Sequence, residues 1–122
     1  MRALLIDDTP EIAELLTYAL RDQGYDVVAS GFTGEINTLL DEHQPDALVL
    51  DCSAYEMSEA LFDSVRADEA RAQFPIVIIS DTPERADASL RARTADHVLL
   101  IPKPFSGSHV ARALEQLLIP NP

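Results

Sequence analysis

The run Ala-Leu-Val-Leu-Asp at residues 47–51 limits the fold of this chain more than any other stretch. It is short and apolar, it contains a β-branched valine, and it lies between Pro45 and Ser53. Such a run predicts a strand that is buried on both faces of a parallel sheet, with Asp51 at its carboxyl end. Ligands of open α/β sheets bind beyond that edge, so we expect Asp51 to have a chemical rather than a structural role.

Three other apolar runs also end at polar side chains. They are residues 3–6 before the pair Asp7-Asp8, residues 76–79 before Ser80, and residues 98–101 shortly before Lys103. If the four strands are parallel, their carboxyl ends meet at one edge of the sheet. The sequence therefore predicts that carboxylates, a hydroxyl and a lysine share a single rim.

Strands alternate with amphipathic helices along the chain. The predicted strands are residues 2–7, 26–29, 47–51, 76–80 and 97–101. The predicted helices begin at Pro10 with Thr9 as cap, after Gly34, at Ser58 (about 58–70), near residue 84 (about 84–94), and near Ser106 or Ser108. The fourth helix has little apolar surface, so we expect it to be lightly tied to the core. The alternation indicates an α/β sandwich of three layers, with a parallel sheet in the middle.

The composition bounds the domain and its partners. The 122 residues, 47% of them hydrophobic, suffice for one domain with one core, which we place at residues 1–119. Residues 120–122 are expected to be a C-terminal tail or the start of a removed linker. The formal charge of −12 argues against binding of nucleic acid or of an anionic membrane, because phosphate contacts need clustered Lys and Arg.

Cysteine usage and hydropathy indicate the compartment. Cys52 is the only cysteine, so no internal disulfide can form, and its simplest role is that of a small core residue. No apolar run approaches membrane-spanning length, and the N-terminus does not resemble a signal peptide. The expected location is the cytoplasm.

Four stretches resemble the receiver domain of bacterial two-component response regulators. They are LIDDTPE at residues 5–11, LVLD at 48–51, PIVIIS at 75–80 and KPF at 103–105. Each is weak alone, but their order and spacing extend the resemblance over nearly the whole chain. The resemblance implies a flavodoxin-like (βα)5 fold with strand order 2-1-3-4-5, in which the first and third strands are neighbours.

Neighbouring first and third strands would bring Asp7, Asp8 and Asp51 together. Three adjacent carboxylates repel one another, and a hard divalent cation, most naturally Mg²⁺ with Mn²⁺ as a substitute, offsets that repulsion. The resemblance implies that these carboxylates and the backbone carbonyl of Ser53 hold the metal. It also implies that Asp51 is the nucleophile, which takes a phosphoryl group from the phosphohistidine of a sensor histidine kinase or a histidine phosphotransferase.

Lys103 and Ser80 would complete the site. The resemblance implies that Lys103 brings positive charge to the phosphoryl group, that Ser80 donates its hydroxyl, and that the peptide bond before Pro104 is cis. Simpler interpretations exist: Asp7 and Asp8 as helix caps, Ser80 as a turn residue and Lys103 as a solvated lysine. Two consecutive carboxylates that face a third favour the chemical interpretation.

Two departures from the family pattern concern the response to phosphorylation. Asp81 stands where the residue after the switch hydroxyl is normally small, so it either hinders a phosphodonor or turns outward. The aromatic switch residue of the fifth strand is missing, and Leu100 or Val98 occupies its position. We therefore expect intact phosphorylation chemistry with a weakened readout.

The leading hypothesis is a phosphorylation-dependent protein-interaction switch rather than a metabolic enzyme. Its expected partners are the phosphodonor and either a downstream protein target or a removed output domain, and a homodimer would use the last two helices and the fifth strand. The alternative is a pseudo-receiver that docks proteins without phosphorylation. A haloacid-dehalogenase-like phosphatase needs Asp-x-Asp, which Asp7-Asp8-Thr9 does not provide, and Asp7 would repel the flavin phosphate of a flavodoxin-type electron carrier.

Overall fold

The computed structural model describes residues 1–118 and contains five parallel strands. They are β1 (Arg2–Asp7), β2 (Asp26–Ser30), β3 (Ala47–Asp51), β4 (Ile76–Ser80) and β5 (Val98–Pro102). Their order in the sheet is β2-β1-β3-β4-β5. The flavodoxin-like architecture and the strand order expected from the sequence are confirmed.

Five helices cover the two faces of this sheet. They are α1 (Pro10–Asp22), α2 (Ile36–His43), α3 (Tyr55–Arg66), α4 (Pro83–Ala92) and α5 (Gly107–Leu118). Helices α1 and α5 pack on one face, and α2, α3 and α4 pack on the other. Within residues 1–118, no helix is both long enough and apolar enough to cross a membrane.

Each face of the sheet has its own apolar cluster, because successive strand residues point to opposite sides. Leu5, Val49 and Val77 belong to the cluster on the α1–α5 side. Leu48 and Ile78 belong to the cluster on the α2–α3–α4 side. Every residue of β3 is buried, as its unbroken apolar run predicted.

The third helix differs from its predicted position. It begins at Tyr55, after Ala54 in extended conformation, and Ser58 is buried inside it instead of capping it. Because the Tyr55 side chain is also buried, we attribute the earlier start to tertiary packing. The helix ends at Arg66, and the residues predicted as its last turn include a separate 3-10 turn, Glu69–Arg71.

Two further boundaries shift where single residues take a left-handed backbone conformation. His97 has φ 54°, which a strand cannot accommodate, so β5 runs over Val98–Pro102 rather than 97–101. Thr94 has φ 49°, and α4 ends before it. Left-handed residues are common just beyond helix ends, so this position marks the end of the helix.

The last helix begins at Gly107, between the two predicted starts. A Cβ atom at Gly107 would overlap the Cβ of Ala19, so the close approach of α5 to α1 requires glycine here. The predicted domain end at residue 119 and the predicted tail at 120–122 lie outside the described residues.

Charged and polar side chains fasten α4 to α3. Ala86 is the only buried residue of α4, in line with the little apolar surface that the sequence predicted. The polar contacts, from one end of the helix pair to the other, are Arg85 with Glu56, Ser89 with Glu59 at 2.7 Å, and Arg93 with Glu59 at 3.5 Å and with Asp63 at 2.7 and 3.0 Å. A stripe of ionic contacts therefore supplements the small apolar contact of this helix.

One arginine, Arg66, connects the segments at the amino-terminal end of β4 and β5. The guanidinium of Arg66 lies over the ring of Phe62, 5.0 Å from its centroid. The same group donates to the main-chain carbonyls of Arg71, Phe74, Asp96 and His97 at 2.8–3.3 Å. These acceptors lie in the segments that lead into β4 and β5, so one side chain joins both segments to α3.

Candidate functional site

The polar residues that end the strands meet at the carboxyl edge of the sheet. Strands β1 and β3 are neighbours, and Asp7 is the register partner of Asp51. Asp8 follows directly. Ser80 ends β4, and its carbonyl accepts the N–H of Lys103 at 2.8 Å. The structure thus places at one rim the five residues that the sequence assigned to it.

Asp51 is a buried carboxylate, 2% exposed, at the end of the central strand. Lys103 Nζ lies 3.0 Å from Asp51 Oδ1 and forms an ion pair with it. This contact lacks hydrogen-bond geometry, and neither oxygen of Asp51 has a hydrogen-bond partner in the described part of the chain. Buried charges normally have such partners, so these oxygens are available to another group. The peptide bond between Lys103 and Pro104 is cis, as predicted.

Asp7 also has one buried oxygen without a hydrogen-bond partner in the described structure. Its Oδ1 accepts the N–H of Thr9 at 2.8 Å, whereas its Oδ2 has no hydrogen-bond partner among residues 1–118. Burial raises the pKa of Asp7 to about 7; the Thr9 bond opposes this rise, and Asp51 and Asp8 add to it. A negative charge on Asp7 is therefore costly unless a cation is near.

Asp8 is held by Ser53, which lies 45 positions away in the sequence. The N–H of Ser53 donates to Asp8 Oδ1 at 2.9 Å, and Ser53 Oγ donates to Asp8 Oδ2. Burial works to raise the pKa of Asp8, but the two Ser53 bonds and the charge of Lys103 outweigh it and leave the pKa below its usual value. The sequence pointed only to the carbonyl of Ser53, and its side chain was missed.

The oxygen atoms at this rim fit a hard divalent cation. Asp7 Oδ2 and both oxygens of Asp51 are buried without hydrogen-bond partners, and Asp8 adds a third carboxylate. Among residues 1–118, no three His, Cys, Asp or Glu side chains are already arranged as ligands of one ion, and both Asp8 oxygens accept bonds from Ser53. Mg²⁺ is usually bound through one or two carboxylates and keeps several waters, so the open carboxylates are sufficient.

Ser80 lies in a turn, which is one of the two interpretations that the sequence left open. Its Oγ accepts the N–H of Thr82 at 3.0 Å and lies 3.3 Å from Thr82 Oγ1, so it is a turn residue. An oxygen that accepts in this way still has its own proton to donate. Asp81 is exposed. The contact of Ser80 with Thr82 was not predicted from the sequence, although a hydroxyl residue two positions after a serine could have indicated it.

The strand register distinguishes the two candidates for the missing aromatic residue. Leu100 is the partner of Ile78, two residues before Ser80, whereas Val98 is the partner of Ile76 at the start of β4. Both side chains are partly buried against the α2–α3–α4 cluster. Leu100 is thus the nearer of the two to the rim.

Two clefts flank α1 at this edge. One, of about 480 Å³, is bordered by Asp7, Asp8 and Tyr18, and the other, of about 440 Å³, by Leu15 and Lys103. Leu15 and Tyr18 are 66% and 61% exposed. The site therefore opens to solvent beside exposed apolar side chains of α1.

Cys52 follows Asp51 but has its side chain in the core. It is buried and free. Burial raises the pKa of its thiol, a hydrogen bond with Ser58 opposes the rise, and the nearby carboxylates add to it. The thiol therefore stays protonated, in keeping with its predicted role as a small core residue.

Comparison with known proteins covers almost the whole chain. Residues 3–115 match the family model of the response regulator receiver domain. The chain is 32% identical over 119 residues to the DNA-binding response regulator MtrA of Mycolicibacterium smegmatis, over 95% of this chain and 50% of that protein. It is 30% identical to the transcriptional regulatory protein PdtaR of Mycobacterium tuberculosis, over 93% of this chain and 55% of that protein. The chain thus spans about half the length of these relatives.

Solved structures have the same fold. The signal receiver domain of a signal transduction histidine kinase from Syntrophus aciditrophicus superposes with a TM-score of 0.80 at 22% identity, over 96% of this chain and 89% of that one. The receiver domain of sensor histidine kinase PA1611 from Pseudomonas aeruginosa, with a magnesium ion coordinated in its active site cleft, has a TM-score of 0.73 at 21% identity, over 96% of each chain. The match over residues 3–115 shows that this chain belongs to the receiver domain family of two-component response regulators.

Proposed function

We propose that this domain accepts a phosphoryl group on Asp51 from the phosphohistidine of a sensor histidine kinase or a histidine phosphotransferase. Receiver domains of response regulators interact with histidine kinases. The observation that carries the proposal is the state of Asp51: a buried carboxylate without hydrogen-bond partners among residues 1–118, 3.0 Å from Lys103 Nζ. Such a nucleophile has free lone pairs and a positive charge beside the group that it receives.

In the proposed step, an oxygen of Asp51 attacks phosphorus as the P–N bond to the partner's imidazole breaks. The imidazole leaves with the electron pair and takes up a proton, and an acyl phosphate forms on Asp51. Lys103 stabilises negative charge on the phosphoryl oxygens, and the Ser80 hydroxyl donates a hydrogen bond to one of them. Asp7, Asp8, Asp51 and the Ser53 carbonyl would hold Mg²⁺, or Mn²⁺ in its place, and the bound ion would supply further positive charge.

Labelling with a small phosphodonor tests this proposal. With Mg²⁺ present, intact-mass analysis should find one phosphoryl group on the parent protein and none on Asp51→Asn. Asp22→Asn is the matched control, because Asp22 is an exposed carboxylate at the end of α1. Labelling of Asp51→Asn would show that another residue is the nucleophile. Absence of labelling in the parent protein would favour a docking module that works without phosphorylation.

We also propose that phosphorylation rearranges the α4–β5–α5 face only weakly. The resemblance implies that an aromatic residue of the fifth strand normally fills the space left when the switch hydroxyl moves. Leu100 has no ring to fill it, although Ser80 can still donate its hydrogen bond. A ligand shifts an equilibrium only by its differential affinity for the two states, so a smaller packing difference gives a smaller shift.

Beryllofluoride, a stable phosphoryl mimic, tests the weakened response. Amide signals should move strongly near Asp51, Ser80 and Lys103, and only weakly around Arg91 and Arg112. Dimerisation should depend little on the mimic. Leu100→Tyr returns a ring to the strand and should enlarge the distant changes. A large rearrangement or a monomer-to-dimer switch in the parent would show that another residue couples the site to this face.

The output lies with other parts of the system. We propose a receiver domain at residues 1–119, followed by a tail or the start of a linker at 120–122. Because the chain spans about half the length of its relatives, the output is either a separate protein target or a domain outside this sequence. The acidic charge of −12 makes direct binding of nucleic acid by this domain unfavourable.

A further inference from the structure

We propose that the side chain of Ser53 positions Asp8 for cation binding, in addition to the role of its backbone carbonyl. This inference rests on the magnesium site proposed above. Its basis is that Ser53 supplies two donors, its N–H and its Oγ, one to each oxygen of the Asp8 carboxylate. A carboxylate bonded at both oxygens by one residue has a fixed plane, whereas a single bond leaves it free to rotate.

The contact joins two loops that no strand pairing holds together at this point. Asp8 follows β1, and Ser53 follows β3, where the register of these strands ends at Asp7 and Asp51. The pair of hydrogen bonds from Ser53 to Asp8, called the fork below, links the two chain segments just beyond the last paired residues of β1 and β3. It therefore fixes the distance between the loop that carries Asp8 and the loop that follows Asp51.

Asp8 differs in this respect from the other two carboxylates. Asp7 has a protein donor on one oxygen only, and Asp51 has none on either among residues 1–118. Those two side chains are held by burial in the ends of their strands, whereas Asp8 is only partly buried. Asp8 is thus the carboxylate that most depends on a hydrogen-bonding partner for its orientation.

The bonds from Ser53 leave Asp8 able to bind a cation. A carboxylate offers about four lone-pair sites, and Ser53 occupies two of them. Besides Asp8, the hydroxyl has one other neighbour of suitable type in the described structure, Met57 Sδ at 4.0 Å, a weak acceptor. Partners that orient a metal ligand in this way typically change metal affinity 10–100-fold when removed.

Calorimetric titration of the parent and three variants with Mg²⁺ tests the proposal. Ser53→Ala keeps the backbone bond and loses the hydroxyl, and we expect its Mg²⁺ affinity to fall about 10-fold or more. Ser53→Thr keeps a hydroxyl and should recover most of the affinity. Ser64→Ala removes an exposed hydroxyl of α3 and should bind as the parent does. Equal or tighter binding by Ser53→Ala would overturn the positioning role, and so would failure of Ser53→Thr to recover affinity.

Two further measurements separate the possible failures. A parent protein that does not bind Mg²⁺ would overturn the proposed metal site together with this inference, whereas a parent that binds and a Ser53→Ala variant that binds equally well would overturn this inference alone. Amide hydrogen exchange on the metal-free parent needs no variant. The Ser53 amide should be protected because it donates to Asp8, and rapid exchange there would contradict the fork.

Discussion

Asp7 should give the metal-free protein an unusual dependence of stability on pH. Its pKa in the folded protein is about 7, above the ordinary value of 3.8. Well below pH 3.8 the Asp7 carboxyl is protonated in both the folded and the unfolded protein, so it does not lower the free energy of unfolding. As the pH rises towards 7, the unfolded chain loses the proton first, so the free energy of unfolding falls by up to about 1.4 kcal/mol per pH unit.

Urea unfolding at pH 5 and pH 7, with a chelator present, measures this dependence. Asp7→Asn removes the titrating group, so its stability should fall less between the two pH values than that of the parent. Asp22→Asn, with an exposed carboxylate removed, should keep the slope of the parent. Identical slopes in the parent and Asp7→Asn would mean that Asp7 is ionised without penalty in the folded protein.

For individual residues, the sequence predicted which polar side chains end the strands, but it did not predict which side chains contact one another. Asp7, Asp8 and Asp51 could be placed at one edge because parallel strands end there, and the strand order implied by the family resemblance made them neighbours. The fork from Ser53 to Asp8 could not be predicted, because it joins residues 45 positions apart through a rotamer. The roles of these residues in phosphoryl transfer and metal binding stay predictions.

Among the elements, α4 depends most on charged contacts. Arg93→Ala removes the two hydrogen bonds of the guanidinium to Asp63 and its contacts with Ser89. We expect faster amide hydrogen exchange throughout α4 and a loss of roughly 1 kcal/mol in the free energy of unfolding. Exchange measured by mass spectrometry on peptides from residues 83–92 would show it.

Arg91→Ala is the matched control for that experiment. Arg91 lies in the last turn of α4, two residues before Arg93, but its ion pair with Asp87 stays within the helix and its side chain is 80% exposed. Such pairs contribute about 0.3–0.5 kcal/mol, so exchange in α4 should change little. If both variants loosen α4 equally, the contacts with α3 are not what holds this helix.

The position of elements was predictable where one local signal dominated. All five strands were found because each is a short apolar run between polar residues. The predicted start of α3 was wrong because serine is a common helix cap, whereas Ser58 is buried inside the helix. The helix begins earlier, at Tyr55, whose burial depends on tertiary packing that the local sequence does not show. The charged stripe between α3 and α4 was not predicted, because it requires the relative placement of two helices.

For the molecule as a whole, we expect millimolar Mg²⁺ to raise the melting temperature. A cation that binds the folded rim and not the unfolded chain adds RT ln(1 + [Mg²⁺]/Kd) to stability. Asp8→Asn should lose most of this gain, while Asp22→Asn should keep it. Equal melting temperatures of the parent with and without Mg²⁺ would count against the metal site.

The two ends of the sheet differ in how completely their polar groups are hydrogen-bonded. At the amino-terminal end, the guanidinium of Arg66 is bonded to four carbonyls, so the segments entering β4 and β5 are anchored to α3. At the carboxyl end, oxygens of Asp7 and Asp51 are buried without hydrogen-bond partners among the described residues. Three carboxylates, those of Asp7, Asp8 and Asp51, thus share this rim with one lysine, Lys103. This excess of negative charge is what the cation proposed above would offset.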